Sequence, residues 1–138
     1  YRRPLTAIML DIDHFKEIND TFGHSAGDKI LAQTAARMQM VLRKVDILGR
    51  YGGDEFIIFL PETSQEGARR LAERLRESVS YQHEFNGGQS VEITVSMGIC
   101  STYGAAASLT LDELIRRADQ ALYSSKQSGR NRVSIYER

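Results

Sequence analysis

The stretch RYGGDEFIIF, residues 50–59, sets two adjacent carboxylates, Asp54 and Glu55, at the exit of a glycine pair, Gly52-Gly53. Neighbouring like charges repel, and a kinked, exposed turn is where a chain most often keeps its chemistry. A third acid, Asp11, lies near the end of the apolar run LTAIMLDI, Leu5 to Ile12, which reads as a largely buried strand. If that strand lies beside the glycine turn, Asp11 and Asp54 converge. Two hard oxygen ligands facing a cleft suit Mg²⁺, which takes one or two carboxylates and fills its octahedron with water and substrate phosphates. Such an ion would relieve the repulsion. Spacing alone leaves the alternatives open: Asp11 can simply begin a turn, and Asp54-Glu55 can be solvated.

Phosphate chemistry has candidates nearby. The Asp11 strand runs directly into a helix, so backbone N–H groups near His14, Phe15 and Lys16 point toward the strand end. KQSGRN offers Lys126 and Arg130 four residues apart, able to neutralise a triphosphate tail. Lys126 can equally complement a helix C-terminus. An internal control comes from FNGGQS, which also has a glycine pair but is followed by uncharged residues and then by Val91, Ile93 and Val95 in alternation. A glycine pair alone therefore signals only a turn.

The elements that must position these groups follow from periodicity. DHFKEIND predicts a helix with Asp13 as N-cap and Phe15 and Ile18 on one face. GHSAGDKILAQTAARMQMVLRK predicts a second, with Ser25 and Asp28 close to a capping box. DILGRY and EFIIFL read as a hairpin whose paired glycines supply positive φ. SQEGARRLAERLRESVS is an amphipathic helix with Ala68, Leu71, Leu75 and Val79 on its apolar face. HEFNGGQSVEITVSMGIC predicts a second hairpin around Asn86-Gly87, TLDELIRRADQALYSSKQSG a last helix with Gly129 at C′, and RVSIYE a last strand. The order strand, helix, helix, strand, strand, helix, strand, strand, helix, strand implies an α+β fold, with helices covering a mostly antiparallel sheet.

Composition bounds the partners. The 138 residues, 41% hydrophobic and 26% charged, suit one compact domain. Eighteen Lys+Arg balance eighteen Asp+Glu, so there is no bulk positive field to hold a nucleic acid. The single Cys100, in an apolar stretch, excludes an internal disulfide framework and reads as a buried reduced thiol. No apolar run reaches the roughly 20 residues that span a bilayer, and no signal peptide opens the chain, so a cytoplasmic segment without membrane contact is expected.

Taken together, GGDEF at Gly52 to Phe56, LDIDHFKEINDTFGHSAGDKIL before it, and VSMGI and ADQALYSSKQSGRNRV after it resemble the GGDEF family of diguanylate cyclases along essentially the whole chain. The resemblance implies a fold like the nucleotide cyclase and polymerase palm. It implies condensation of two GTP into cyclic di-GMP by a homodimer, with Mg²⁺ or Mn²⁺ as cofactor. Carried over by position, Asp11, the Ile12 carbonyl and Asp54 would hold the metal, and Asp54 and Glu55 would be catalytic. Phe15, Lys16, Asn19, Asp28, Gly52, Gly53, Lys126 and Arg130 would bind GTP, with Asn19 and Asp28 reading guanine and the lysines and Arg130 on phosphates. RKVD matches the family's RxxD product-inhibition motif, so Arg43 and Asp46, with Arg74 from the next helix, would bind cyclic di-GMP. The family's usual N-terminal helix and DxLTxLxNRR segment have no counterpart before Tyr1, so residues 1–138 are expected to be a catalytic domain excised from a longer, multidomain protein, one open to membrane anchoring through its other segments. The alternative is a non-catalytic receptor module for GTP or cyclic di-GMP.

Overall fold

The computed structural model describes residues 3–102 and 109–137. The elements run β1 (Leu5–Ile12), α1 (Phe15–Phe22), α2 (His24–Val41), β2 (Ile47–Arg50), β3 (Glu55–Pro61), α3 (Gln65–Val79), β4 (Tyr81–Glu84), β5 (Ser90–Ile93), β6 (Val95–Ser101), α4 (Leu111–Gln127) and β7 (Val133–Ile135). The central sheet has the order β2-β3-β1-β6-β7, antiparallel except for the β6–β7 pair, as the α+β reading expects. One element departs from expectation. VEITVSMGIC breaks at Thr94, so β5 leaves with β4 to form a separate two-stranded sheet while β6 pairs with β1 at the centre.

Strand alternation decides which layer goes where. On β1 and β6, Ile8, Leu10, Ile12, Val95, Met97 and Ile99 join the core under α1, α2 and α3. The opposite face carries Ala7, Met9 and Cys100 against Leu114, Ala118 and Leu122 of α4. That face is narrow, with Ser96, Gly98 and Cys100 alternating along β6. A Cβ on Gly98 would collide with the α4 backbone at Ala118, Ala121 and Leu122, so this glycine is what lets the helix lie directly on the sheet. Close packing there brings the far end of α4 to the C-terminal end of β1.

Local punctuation differs from expectation at two helix starts. Asp13 does not cap α1; His14 does, in a left-handed conformation at φ 58°, with no side-chain cap bond. The Asp13 carboxylate is buried and accepts hydrogen bonds from Thr94 Oγ1, Ser96 Oγ and the Asn131 backbone N–H. The Ser25–Asp28 capping box is likewise absent, because Gly23 at φ 94° both ends α1 and caps α2, placing Ser25 inside the first turn. Gly129 is the C′ residue expected, at φ 124°, and the Arg130 N–H reaches back to the Ser125 carbonyl in a Schellman arrangement. Cys100 is buried, as expected. Among the described residues no helix is long and apolar enough to cross a membrane.

Candidate active site

Pairing of β1 with β3 sets Asp11 opposite Glu55, and the Ile12 N–H bonds the Asp54 carbonyl at 3.4 Å. Acids distant in sequence thus meet at one sheet end. Asp11 is 5% exposed; Lys126 Nζ donates to its Oδ2, while Oδ1 is buried without a hydrogen-bond partner. Burial first, and then the neighbouring Asp54 carboxyl, push the Asp11 carboxyl up to about 7, although Lys126 pulls the other way. Glu55 is also raised, by burial, then by Asp119 of α4 and by Asp54. Burial alone would lower the Lys126 ammonium, but Asp11, Asp54 and Glu55 together hold it up. One ammonium against three carboxylates leaves an acidic excess with an orphaned buried oxygen, a donor set that fits a hard divalent cation. Among the described residues no cluster of three or more His, Cys, Asp or Glu suited to a metal occurs, so such an ion would rest on these two aspartates plus backbone and substrate oxygens.

The loop bearing Asp54 is held from outside. Arg50 Nη2 donates to the Gly53 carbonyl at 2.6 Å and its Nε to the Gly52 carbonyl at 3.4 Å, while the N–H groups of Tyr51 and Gly52 both reach the Glu55 carbonyl. Neither Gly52 nor Gly53 has positive φ, which corrects the reason expected for the pair. A Cβ on Gly52 would lie 3.2 Å from Glu55 Oε1, and one on Gly53 would meet nothing within 4 Å. The chain itself does not require glycine at position 53.

Beside this loop, a cleft of about 320 Å³ is lined by Asp28, Leu31, Ala32, Ala35, Arg50 and Phe56. Asp28 is exposed on α2, and with no capping box its carboxylate has no helix end to serve. Asn19 of α1 packs over Gly27, where any Cβ would strike its Oδ1, and that oxygen is buried without a partner. Gly27 thereby brings Asn19 to the residue preceding Asp28. Phe15 is buried beside Gly27, whereas Lys16 is exposed in the first turn of α1. Lys126 reaches Asp11 rather than its own helix end, and Arg130 follows in a left-handed turn at φ 66°.

A second groove, about 480 Å³, lies elsewhere on the surface and is lined by Val41, Arg43, Glu62, Thr63, Ser64, Gly67, Arg70, Leu71 and Arg74. Arg43 and Arg74, assigned together from sequence, share it. Asp46 turns inward instead: Arg43 Nη2 and Nε donate to its carboxylate at 2.7 and 3.1 Å, and Arg43 Nη2 also reaches Thr63 Oγ1 at 2.8 Å. Sequence reasoning missed Arg50, Asp119, Thr63 and Arg70. Asp119 had a signal, since it stands seven residues from Lys126 on one helix; Thr63 had none.

Comparison with known proteins gives one consistent answer. The family described as "Diguanylate cyclase, GGDEF domain" matches residues 1–132. Diguanylate cyclase A of Treponema denticola is 42% identical over 134 residues, covering 97% of this chain and 36% of that protein. Response regulator PleD of Caulobacter vibrioides is 42% identical over 132 residues, 94% of this chain and 29% of its own length. The chain therefore spans about a third of the curated relatives it matches. Among solved structures, the GGDEF domain of DgcB from Caulobacter crescentus, in complex with c-di-GMP, superposes with a TM-score of 0.90 at 33% identity, covering 99% of this chain and 80% of that one. The active GGEEF domain of a diguanylate cyclase from Vibrio cholerae gives 0.89 at 42% identity, covering 99% and 85%.

Proposed function

The chain belongs to the GGDEF diguanylate cyclase family, and on that premise we propose that it condenses two GTP into cyclic di-GMP as a homodimer. The observation that carries this reading is Asp11, whose buried Oδ1 stands unpartnered beside Asp54, one residue before the Glu55–Phe56 strand that helps line the cleft. Mg²⁺ or Mn²⁺, held by Asp11, the Ile12 carbonyl and Asp54, would neutralise charge on the transferring phosphoryl group and lower the pKa of the attacking hydroxyl.

The chain's own residues do the rest. Asp28 accepts from the guanine N1–H and N2–H₂ edge and Asn19 supplies its amide; adenine, with an acceptor at N1, would face a lone pair, worth about 1–3 kcal/mol of discrimination. Phe15 backs the base. Lys16, Lys126 and Arg130 hold the triphosphate, with Lys126 exchanging Asp11 for phosphate oxygen. Gly52 and Gly53 let the nucleotide pass close over the turn. Glu55, its carboxyl raised by burial and by Asp119, suits proton acceptance nearer neutrality than an ordinary glutamate. Each 3′-oxygen attacks the α-phosphorus bound by the opposite copy. One P–O bond forms, the bond to the β-phosphate bridge breaks, pyrophosphate leaves and the hydroxyl proton passes to base or solvent. One copy holds half of this site.

The second groove supports product inhibition. Arg43, released from Asp46, would fork onto guanine or phosphate, Asp46 would accept from a guanine edge, and Arg74 would add a third contact. We place the catalytic segment in the cytoplasm. The test is to incubate concentrated protein with GTP and Mg²⁺ and identify the product by mass spectrometry. Cyclic di-GMP, formed at a rate rising faster than linearly with protein concentration, supports the reading. GTP bound but unchanged would replace it with a receptor module. Arg43→Ala is expected to keep turnover and lose feedback by added product; undiminished inhibition would remove the second groove from the scheme.

A further inference from the structure

Arg130 stands in an unusual backbone. Gly129, Arg130 and Asn131 have φ of 124°, 66° and 50°, three consecutive residues on the positive side, two of them with side chains. Non-glycine residues keep such angles when their surroundings hold them there. What holds them is visible. The Asn131 N–H donates to Asp13 Oδ2 at 3.0 Å and also lies 3.1 Å from Ser96 Oγ, which itself donates to Asp13 Oδ1 at 2.6 Å. Thr94 Oγ1 donates to Asp13 Oδ2 at 2.7 Å. The carboxylate is 4% exposed, and hydroxyl and amide donors occupy both of its oxygens. The helix end contributes the Schellman bond from the Arg130 N–H to the Ser125 carbonyl, and Arg132 Nε bonds the Arg130 carbonyl at 3.1 Å.

We infer that Asp13 is a positioning residue, its buried carboxylate clamping the Arg130–Asn131 turn to the end of β1 so that the Arg130 guanidinium is presented to the nucleotide's phosphates. The inference rests on the reading of Arg130 as a phosphate ligand. Its logic lies in where β1 ends. Asp11 in the strand and Asp13 in the turn just past it both reach toward α4 and its C-terminal turn: Asp11 to Lys126, Asp13 to the backbone at Asn131. One short segment thus sets the metal-facing carboxylate and, two residues on, the frame of a phosphate-facing cation. A buried carboxylate used only for stability would act on the fold as a whole and equally on every ligand. One used for positioning acts through Arg130 alone.

The experiment is a double-mutant cycle read by calorimetric affinity for a non-reacting GTP analogue and for GMP, with Mg²⁺ present. Asp13→Asn keeps the shape and withdraws charge and one acceptor. It is expected to weaken the triphosphate roughly tenfold, about the loss of one charge-assisted hydrogen bond, to leave GMP within twofold, and to add nothing once Arg130→Ala is present. Ser96→Ala, a smaller excision that keeps the carboxylate, is expected to act in the same direction more weakly, and carries the test should Asp13→Asn fail to fold. Equal weakening of both ligands, full additivity with Arg130→Ala, or unchanged triphosphate affinity would overturn the inference. If Arg130→Ala itself binds the triphosphate normally, the phosphate role of Arg130 falls first, a result distinct from the others.

Discussion

Two hairpin loops in this protein carry a glycine pair, and they use it for opposite reasons. In Asn86–Gln89, Gly87 and Gly88 have φ of 98° and 84°, and the loop closes with Phe85 N–H on the Gln89 carbonyl and Gly88 N–H on the Phe85 carbonyl. There the backbone demands glycine. In Tyr51–Asp54 neither glycine has positive φ, and a Cβ on Gly53 would sit in open space. The chain gains nothing from glycine at 53. Under the proposed function, a nucleotide lying over the turn would supply the demand.

The largest expected effect comes from the acids that only the first loop bears. Asp54→Ala is expected to lower turnover by on the order of 10³-fold, the scale seen when one transition-state electrostatic contact is removed. Gln89→Ala, at the matching exit of the second loop, should leave it unchanged. A steady-state assay of both variants decides it, and activity near wild type in Asp54→Ala would erase the distinction.

The glycines themselves give the next contrast. Gly53→Ala is expected to weaken GTP binding tenfold or more, about 1.4 kcal/mol, without lowering the melting temperature. Gly87→Ala should do the reverse: a loss of about 1–2 kcal/mol from forcing a side chain into left-handed space, with GTP affinity intact. Thermal melts and nucleotide titrations of the two variants test it together. A destabilised Gly53→Ala that still binds GTP would mean that both pairs serve the turn alone.

How much of this was legible in the sequence depends on the kind of information each residue carries. Strand and helix order was readable because periodicity is local, and family-wide motif order added the cyclase fold. The break at Thr94 was not, since VEITVSMGIC alternates without interruption and only the competition between pairing with β4 and pairing with β1 divides it. Asp13 looked like an N-cap because caps are judged from neighbours in sequence, whereas its partners are 81 to 118 residues away. The convergence of Asp11 with Asp54 was conditional on strand adjacency, which the register now supplies. The reason for Gly53 could be misread because composition reports a glycine, never the angle it adopts.

The smallest expected effect separates the loops by pH. Asp11, set against the first loop, has its carboxyl held at about 7, far above the 3.8 of an ordinary aspartate, by burial and by Asp54. The folded chain therefore binds that proton more tightly than the unfolded one. Stability from this group is complete below about pH 4, declines as pH rises toward 7, and is lost beyond it. Metal-free protein should melt lower at pH 8 than at pH 5.5, and Asp11→Asn should flatten that slope. Mg²⁺, needing the ionised carboxylate, should restore more stability at pH 8 than at pH 5.5. Gly87→Ala, which removes no carboxylate, should lower the curve without changing its slope. A pH profile identical in wild type and Asp11→Asn would show that the buried oxygen is neutralised within the chain, and that the first loop does not wait for a cation.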